Sequence, residues 1–329
     1  MNRREAVIAI LALCAAPLAA RAQQSGKVWG VGYLSANARP ADFESSTTSG
    51  AFVKGMRALG YIEGKNLAIE WRFAEDKLGR VQELAAELVQ LKMDVIVTSG
   101  SPATSAAQKA TTTIPIVMGI TNDPVGNGFV KSLSRPGGNI TGLSSLNADI
   151  APKQLEMLLS MLPKLSRVGI LVNPANSSHA IYLKHVQAAA QKVQVRILPV
   201  EARTSQEIET AFSILAKERA GGIILASDLY FRGQRRQIAE LSTKYRLPAA
   251  AGVDGYAEAG GLMFYGANVS ENFRRAATYV DKIVKGAKPG ELPIEQPTQL
   301  ELILNLKTAK AMGLAFPQSL LVRADRVIE

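Results

Sequence analysis

From residue 27 onward, short apolar runs alternate with segments whose apolar residues recur at helical spacing. This restricts the chain to an α/β fold, because strands separated each time by a helix join as right-handed βαβ units into a parallel sheet covered on both faces. Strand-like runs fall at 27–34, 66–71, 94–98 and 116–120, and helical periodicity at 43–59, 81–91 and 103–110. The pattern breaks over 120–143, which opens on Asn122-Asp123-Pro124 and closes on Arg135-Pro136-Gly137-Gly138-Asn139 before a short β-type run at 140–143. It then resumes with helices at 152–162, 178–193, 205–218 and 233–245 and strands at 167–172, 195–200, 222–226 and 247–251. The segment 120–143 thus reads as a border between two similar halves, with the turn and first crossing at 135–143.

A weak internal repeat agrees. Asp94-Val-Ile-Val-Thr-Ser-Gly, a helix, then Thr113-Ile-Pro-Ile is echoed by Gly222-Ile-Ile-Leu-Ala-Ser-Asp, a helix, then Arg246-Leu-Pro-Ala, which pairs Ser99 with Ser227 and Pro115 with Pro248. Beyond these, 260–266 reads as a strand, 271–284 as a helix, 286–297 as a Pro/Gly-rich linker, 299–304 as a strand and 307–312 as a short helix. Further crossings near Gly266 and Pro297 make three in all, a hinge with a restrained direction of closure. The expected division is a first lobe of 27–142 with 267–297 and a second of 143–266 with 298–329.

The amino end has the layout of a cleavable export signal over residues 1–22: Arg3-Arg4, an apolar run of 6–20, and Ala20-Arg21-Ala22 before Gln23. That run is shorter than the ~20 residues needed to span a bilayer. The only cysteine, Cys14, lies within it. The expected mature chain therefore has no thiol for disulfides, catalysis or metal binding, and Leu13 ahead of Cys14 is too bulky for a lipoprotein signal. Loss of 1–22 takes Arg3, Arg4, Arg21 and Glu5 with it and lowers the formal charge from +10 to +8. No dense basic tract with interleaved aromatics accompanies this charge, so nucleic acid is not an expected partner. Arg232, Arg235 and Arg236 read as a solvated basic face.

Ligands of parallel sheets gather at the carboxyl ends of strands. The loops there carry Ser35 and Asn37, Ser99-Gly100-Ser101, Asn122 and Asp123, Asn173 and Asn176, Ser227 and Asp228, and further on Asp254. Pro102 suits the first turn of a helix, which leaves Ser99 to Ser101 at its positive end, where an anion such as a carboxylate can sit. The same serines and asparagines serve equally as helix caps. No Walker loop, His-Glu-x-x-His motif or Gly-x-Ser-x-Gly elbow is present, and Gly30-Val31-Gly32 lies inside a strand with Ser35 at the third glycine position. His179 and His185, six apart on one helix, make a poor metal pair and are expected at the surface. No second catalytic group pairs with the aspartates, so binding is favoured over catalysis, and neither cofactor nor metal is expected.

Several long segments resemble the ABC transporter substrate-binding proteins of the TrpX-like family: 94–102 (DVIVTSGSP), 123–142 (DPVGNGFVKSLSRPGGNITG), 256–266 (YAEAGGLMFYG), 286–314 with ELPIEQPT and NLKTAKAMGL, and the end SLLVRADRVIE. The likeness spans essentially all of the chain after the signal. It implies a type I periplasmic binding fold, two Rossmann-like lobes with parallel sheets joined by a three-crossing hinge. It also implies a monomeric, noncatalytic periplasmic subunit that closes on a small polar solute, most simply an amino acid and in some members an aromatic one, for delivery to a membrane permease and ATPase. The same fold serves as a sensor domain for a membrane receptor, and an exported α/β enzyme is the third class. An amino-acid zwitterion fits the loops with its carboxylate at Ser99 to Ser101 and its ammonium at Asp123, Asp228 or Asp254, while Tyr230, Phe231 and Tyr265 are candidates to stack on its side chain. Val253-Asp254-Gly255 stands where the family often carries a bulky or basic residue.

Overall fold

The computed structural model describes residues 27–44, 46–145, 147–176, 178–297 and 300–329. The export-signal reading of 1–22 lies outside the described residues. Two sheets form. The first holds β1 (Trp29–Ser35), β2 (Leu67–Phe73), β3 (Val95–Ser99), β4 (Ile116–Asn122) and β5 (Ile140–Ser145) in the order β2-β1-β3-β4-β5, every pairing parallel. The second contains β6 (Arg167–Val172), β7 (Arg196–Glu201), β8 (Gly222–Leu225), β9 (Ala249–Ala251) and β10 (Met263–Ala267) in the corresponding order β7-β6-β8-β9-β10, also parallel. β11 (Leu300–Asn305) then adds antiparallel to β10, and β12 (Arg326–Ile328) parallel to β11. The two halves thus share one topology, and the repeated sequence motifs occupy equivalent places, β3 with β4 in one and β8 with β9 in the other.

Period-two alternation distributes the strands' side chains over two layers of core in each lobe. In the first, Val31, Tyr33, Val95, Val97 and Val117 face α1 (Ser49–Ala58) and α9 (Val269–Val284), while Leu34, Ile96, Ile116 and Met118 face α2 (Val81–Gln90) and α3 (Ser101–Ala110). In the second, Val168, Ile170 and Ile224 face α4 (Asn147–Met161) and α5 (Ser178–Lys192), and Leu171, Ile223 and Leu225 face α6 (Ser205–Lys217) and α8 (Arg235–Lys244). Short helices α7 (Leu229–Gly233), α10 (Leu306–Ala311) and α11 (Gln318–Leu321) complete the set. None of the described helices is long and apolar enough to cross a membrane.

α9 follows a strand of the second sheet yet packs on the first, through Phe273, Ala276, Ala277 and Val280. Gly55 of α1 permits this approach: a Cβ there would lie 2.8 Å from the Arg274 carbonyl oxygen and 2.9 Å from Ala277 Cβ. The chain returns along β5, where Ser144 N donates to Glu295 O (2.9 Å) and Glu295 N to Gly142 O (3.0 Å), before entering β11. It therefore passes between the sheets three times, after Ser145, after Ala267 and after Pro297. The first passage falls later than the sequence suggests, because β5 stays in the first sheet through Ser145. The helix expected over 43–59 starts only at Ser49: Ser46 Oγ accepts from Thr48 N, and Phe43 turns edge-on to Trp71.

Candidate functional site

The carboxyl ends of the two sheets face each other, and the loops there already touch. Ser178 Oγ, at the start of α5, lies 3.1 Å from Ser101 Oγ and 3.3 Å from Asn122 O, and accepts a hydrogen bond from Asn127 Nδ2 at 3.1 Å. Thr47 Oγ1 donates to Asp254 Oδ2 at 3.4 Å. Gly100, at φ +92°, lets Leu229 of the opposite lobe settle so close that a Cβ would meet Leu229 Cδ1 at 2.9 Å. A cavity of about 570 Å³ opens beside this contact, lined by Ser35, Asn37, Thr48, Phe73, Ser99 and Arg232 among others. Two small spaces, about 40 and 30 Å³, adjoin it between the lobes.

Most of the loop residues singled out from the sequence meet here. Ser35 and Asn37 line the large cavity, with Asn37 N donating to Ser35 Oγ (3.2 Å). Ser99 and Gly100 stand between cavities, and Ser101, Asn122, Ser227 and Asp254 line the smallest space. Asn173 and Asn176 approach from the second lobe. Asp228 is buried and saturated: its carboxylate accepts from Asn176 Nδ2 (2.8 Å), Asn173 Nδ2 (3.3 Å), Tyr230 N (2.9 Å) and Phe231 N (3.3 Å), capping α7. A carboxylate so supplied holds the loop and has little capacity left for an ammonium.

Three candidates are placed elsewhere. Asp123 sits at φ +39° with Oδ1 accepting from Gly126 N (2.8 Å), so its side chain is committed to the turn that follows β4 and not to the cavities. Phe231 is fully buried in the second lobe's core, on the side of α7 away from the cleft. Tyr265 packs on the core of the same lobe, with its carbonyl accepting from Gln154 Nε2 (3.0 Å). Tyr230 does line the cleft.

His179, expected at the surface, is buried beneath the site, whereas His185 is exposed. Its Nδ1 accepts from Asn173 N at 2.7 Å, so the ring proton is on Nε2 and points to Ser227 O at 3.2 Å. Burial pushes its pKa down despite the nearby Asp228, and the neutral ring ties the 173–176 loop to the 227–228 loop.

Arg232, Phe73 and Asp76 were not among the residues marked from sequence as lining a site. Arg232 lies in the cleft instead of on a solvated face, its Nη2 3.2 Å from Asp254 Oδ2 and its side chain 18% exposed. Burial lowers its pKa, and the Asp254 carboxylate opposes that shift. Asp76 follows β2 and borders both the large and one small cavity; burial first, then the charges of Glu75 and Asp228, push its pKa up, against a backbone hydrogen bond from Ala38. Among the described residues no three His, Cys, Asp or Glu side chains converge as a metal set.

Two lobes of one topology, three connecting passages and a polar cavity between facing strand ends define a type I solute-binding protein. The chain matches the family of ABC transporter substrate binding proteins over residues 44–328, and it belongs to that family. It is 27% identical over 264 residues, 80% of this chain and 75% of the other, to a tyrosine-binding protein of Clostridioides difficile strain R20291. A conserved domain protein of Vibrio cholerae superposes with a TM-score of 0.85 at 27% identity, covering 92% of this chain and 100% of that one. An ABC domain from Streptococcus pneumoniae in complex with L-Trp gives 0.84 at 22% identity, with 92% and 100% covered. A ligand-free, open substrate-binding protein from Clostridium difficile gives 0.65 at 25% identity, with 92% and 99% covered.

Proposed function

We propose that this protein is the periplasmic receptor of an ABC importer and closes on an amino acid, an aromatic one fitting best. The carrying observation is the interlobe cavity of about 570 Å³, which combines an aromatic wall, Phe73, with hydroxyls and with charges of both signs, Asp76 and Arg232. Ligand pockets of ~300–1,000 Å³ with few placed polar groups are the usual size for small molecules. The tyrosine-binding relative and the L-Trp complex of a structural neighbour support the solute class. Asp76 suits the ammonium better than Asp228, because a cation beside it relieves the repulsion from Glu75 and Asp228.

In this reading residues 1–22 direct export and are removed, and the mature chain is a monomer without catalytic activity that presents its closed form to a permease and ATPase. The three passages between the sheets, after Ser145, Ala267 and Pro297, act as the hinge. A thermal-shift panel of amino acids, purines, sugars and carboxylates tests it. L-Tyrosine or L-tryptophan is expected to raise the melting temperature, since ligand at a hundred times its Kd adds about 2.7 kcal/mol. If no amino acid on the panel raises it, the reading falls.

A further inference from the structure

One wall of the cavity carries an unmatched donor, Arg232 Nε, with the Tyr33 hydroxyl close by. Among the described residues four buried side-chain atoms have no hydrogen-bond partner: Tyr33 Oη, Ser49 Oγ, Arg232 Nε and Asn272 Nδ2. Such an atom costs about 1–3 kcal/mol when left unmatched, and folded proteins keep few of them. Two of the four, Tyr33 Oη and Arg232 Nε, belong to one neighbourhood. The Tyr33 hydroxyl has Ser99 and Thr48 beside it and feels the charge of Arg232; burial nevertheless pushes its pKa up to about 12. Thr48, Ser99 and Arg232 all line the large cavity.

Arg232 Nε can only donate, and the hydroxyls around it can all donate, so the group that completes this wall is an acceptor carrying negative charge. Asp254 holds the guanidinium in place through Nη2 and leaves Nε over. The alternative position for an anion, the start of α3, is taken: Ser101 faces Ser178, and Leu229 covers Gly100.

We propose that Arg232, with the Thr48 and Ser99 hydroxyls, forms the subsite that receives the carboxylate of the bound amino acid, and that Tyr33 beneath them is a positioning residue. This rests on the amino-acid reading above and names the group that selects for it. A charge-assisted pair with fixed geometry distinguishes an acid from its amide more sharply than shape does.

Calorimetry on the purified protein with L-tyrosine and L-tryptophan beside their α-amides tests the subsite. The wild type is expected to prefer each acid over its amide by about 10- to 100-fold, the range for one hydrogen bond to a charged group. In Arg232→Met that preference collapses, with the acid weakened and the amide little changed. Arg232→Lys restores part of it, and Tyr33→Phe lowers the preference by a smaller factor. Because Arg232→Met leaves Asp254 unpaired, Arg232→Met with Asp254→Asn is measured alongside, its fold checked by circular dichroism. Equal losses for acid and amide overturn the proposal, as does an unchanged preference in both Arg232 variants. If the wild type binds none of the amino acids, the amino-acid reading falls and the subsite is decided with 3-(4-hydroxyphenyl)propionate and simple carboxylic acids. Binding that Arg232→Met abolishes supports it, and no carboxylate binding at all overturns it.

Discussion

His179 ties the stability of the second lobe's 173–176 and 227–228 loops to pH. Its folded pKa lies below the ordinary 6.5, so the unfolded chain binds the proton more readily than the folded one between those two values. The neutral ring's contribution is therefore complete above 6.5 and is lost as pH falls below it toward the folded pKa. Melting temperature is expected to drop on acidification from neutral pH, and His179→Gln, which keeps one donor and one acceptor, is expected to flatten that drop; an unaltered pH slope in the variant rules His179 out as its source. At this scale the sequence was only partly legible. Strand-end position predicted that Ser35, Asn37, Ser99, Asn173 and Asp228 would border the space between the lobes, because topology alone brings such loops together. It did not separate residues facing the cavity from those beside it: Asp123 turned into its own loop, and Phe231 into the core. Arg232 was hidden because the short helix α7, capped by Asp228, begins earlier than periodicity indicated and tips its one arginine into the cleft, where Arg235 at the start of α8 also borders the large cavity.

At the scale of elements, α9 is the part whose attachment follows least from its neighbours in the chain. It follows β10 of one sheet and builds the core of the other, and its registry depends on Gly55. Gly55→Val is expected to push α1 and α9 apart and cost about 1–3 kcal/mol, the usual range for overpacking. Urea unfolding of the first lobe checks it, and a variant as stable as the wild type would mean that the helices slide to make room. The strands and most helices were legible because apolar runs of four to seven residues between helical periods have few other solutions. The far edge of the second sheet was not equally so. β11 adds antiparallel to β10 and β12 beside it, and neither orientation nor order is encoded in a period; both depend on a long-range choice of edge.

For the whole molecule, the question is what holds the lobes together. They meet through Ser178 on one side and through Leu229 over Gly100 on the other. A ligand favours closure only by binding the closed form more tightly than the open one, so anything that obstructs the final approach should lower affinity without touching the ligand. Gly100→Val is such an obstruction: its Cβ falls 2.9 Å from Leu229 Cδ1. The variant is expected to weaken binding by about tenfold or more, a loss of ~1.4 kcal/mol or more, and to keep the larger open radius of gyration in scattering with ligand present. Gly100 also has φ +92°, where a side chain is strained by itself at a cost of about 1–3 kcal/mol. Adding Leu229→Ala removes the collision but not the strain. If the double variant regains compaction and affinity, the collision was responsible and Leu229 is the contact that limits closure. If it remains open and weak, backbone strain at the start of α3 is the cause, and the latch lies with Ser178 instead.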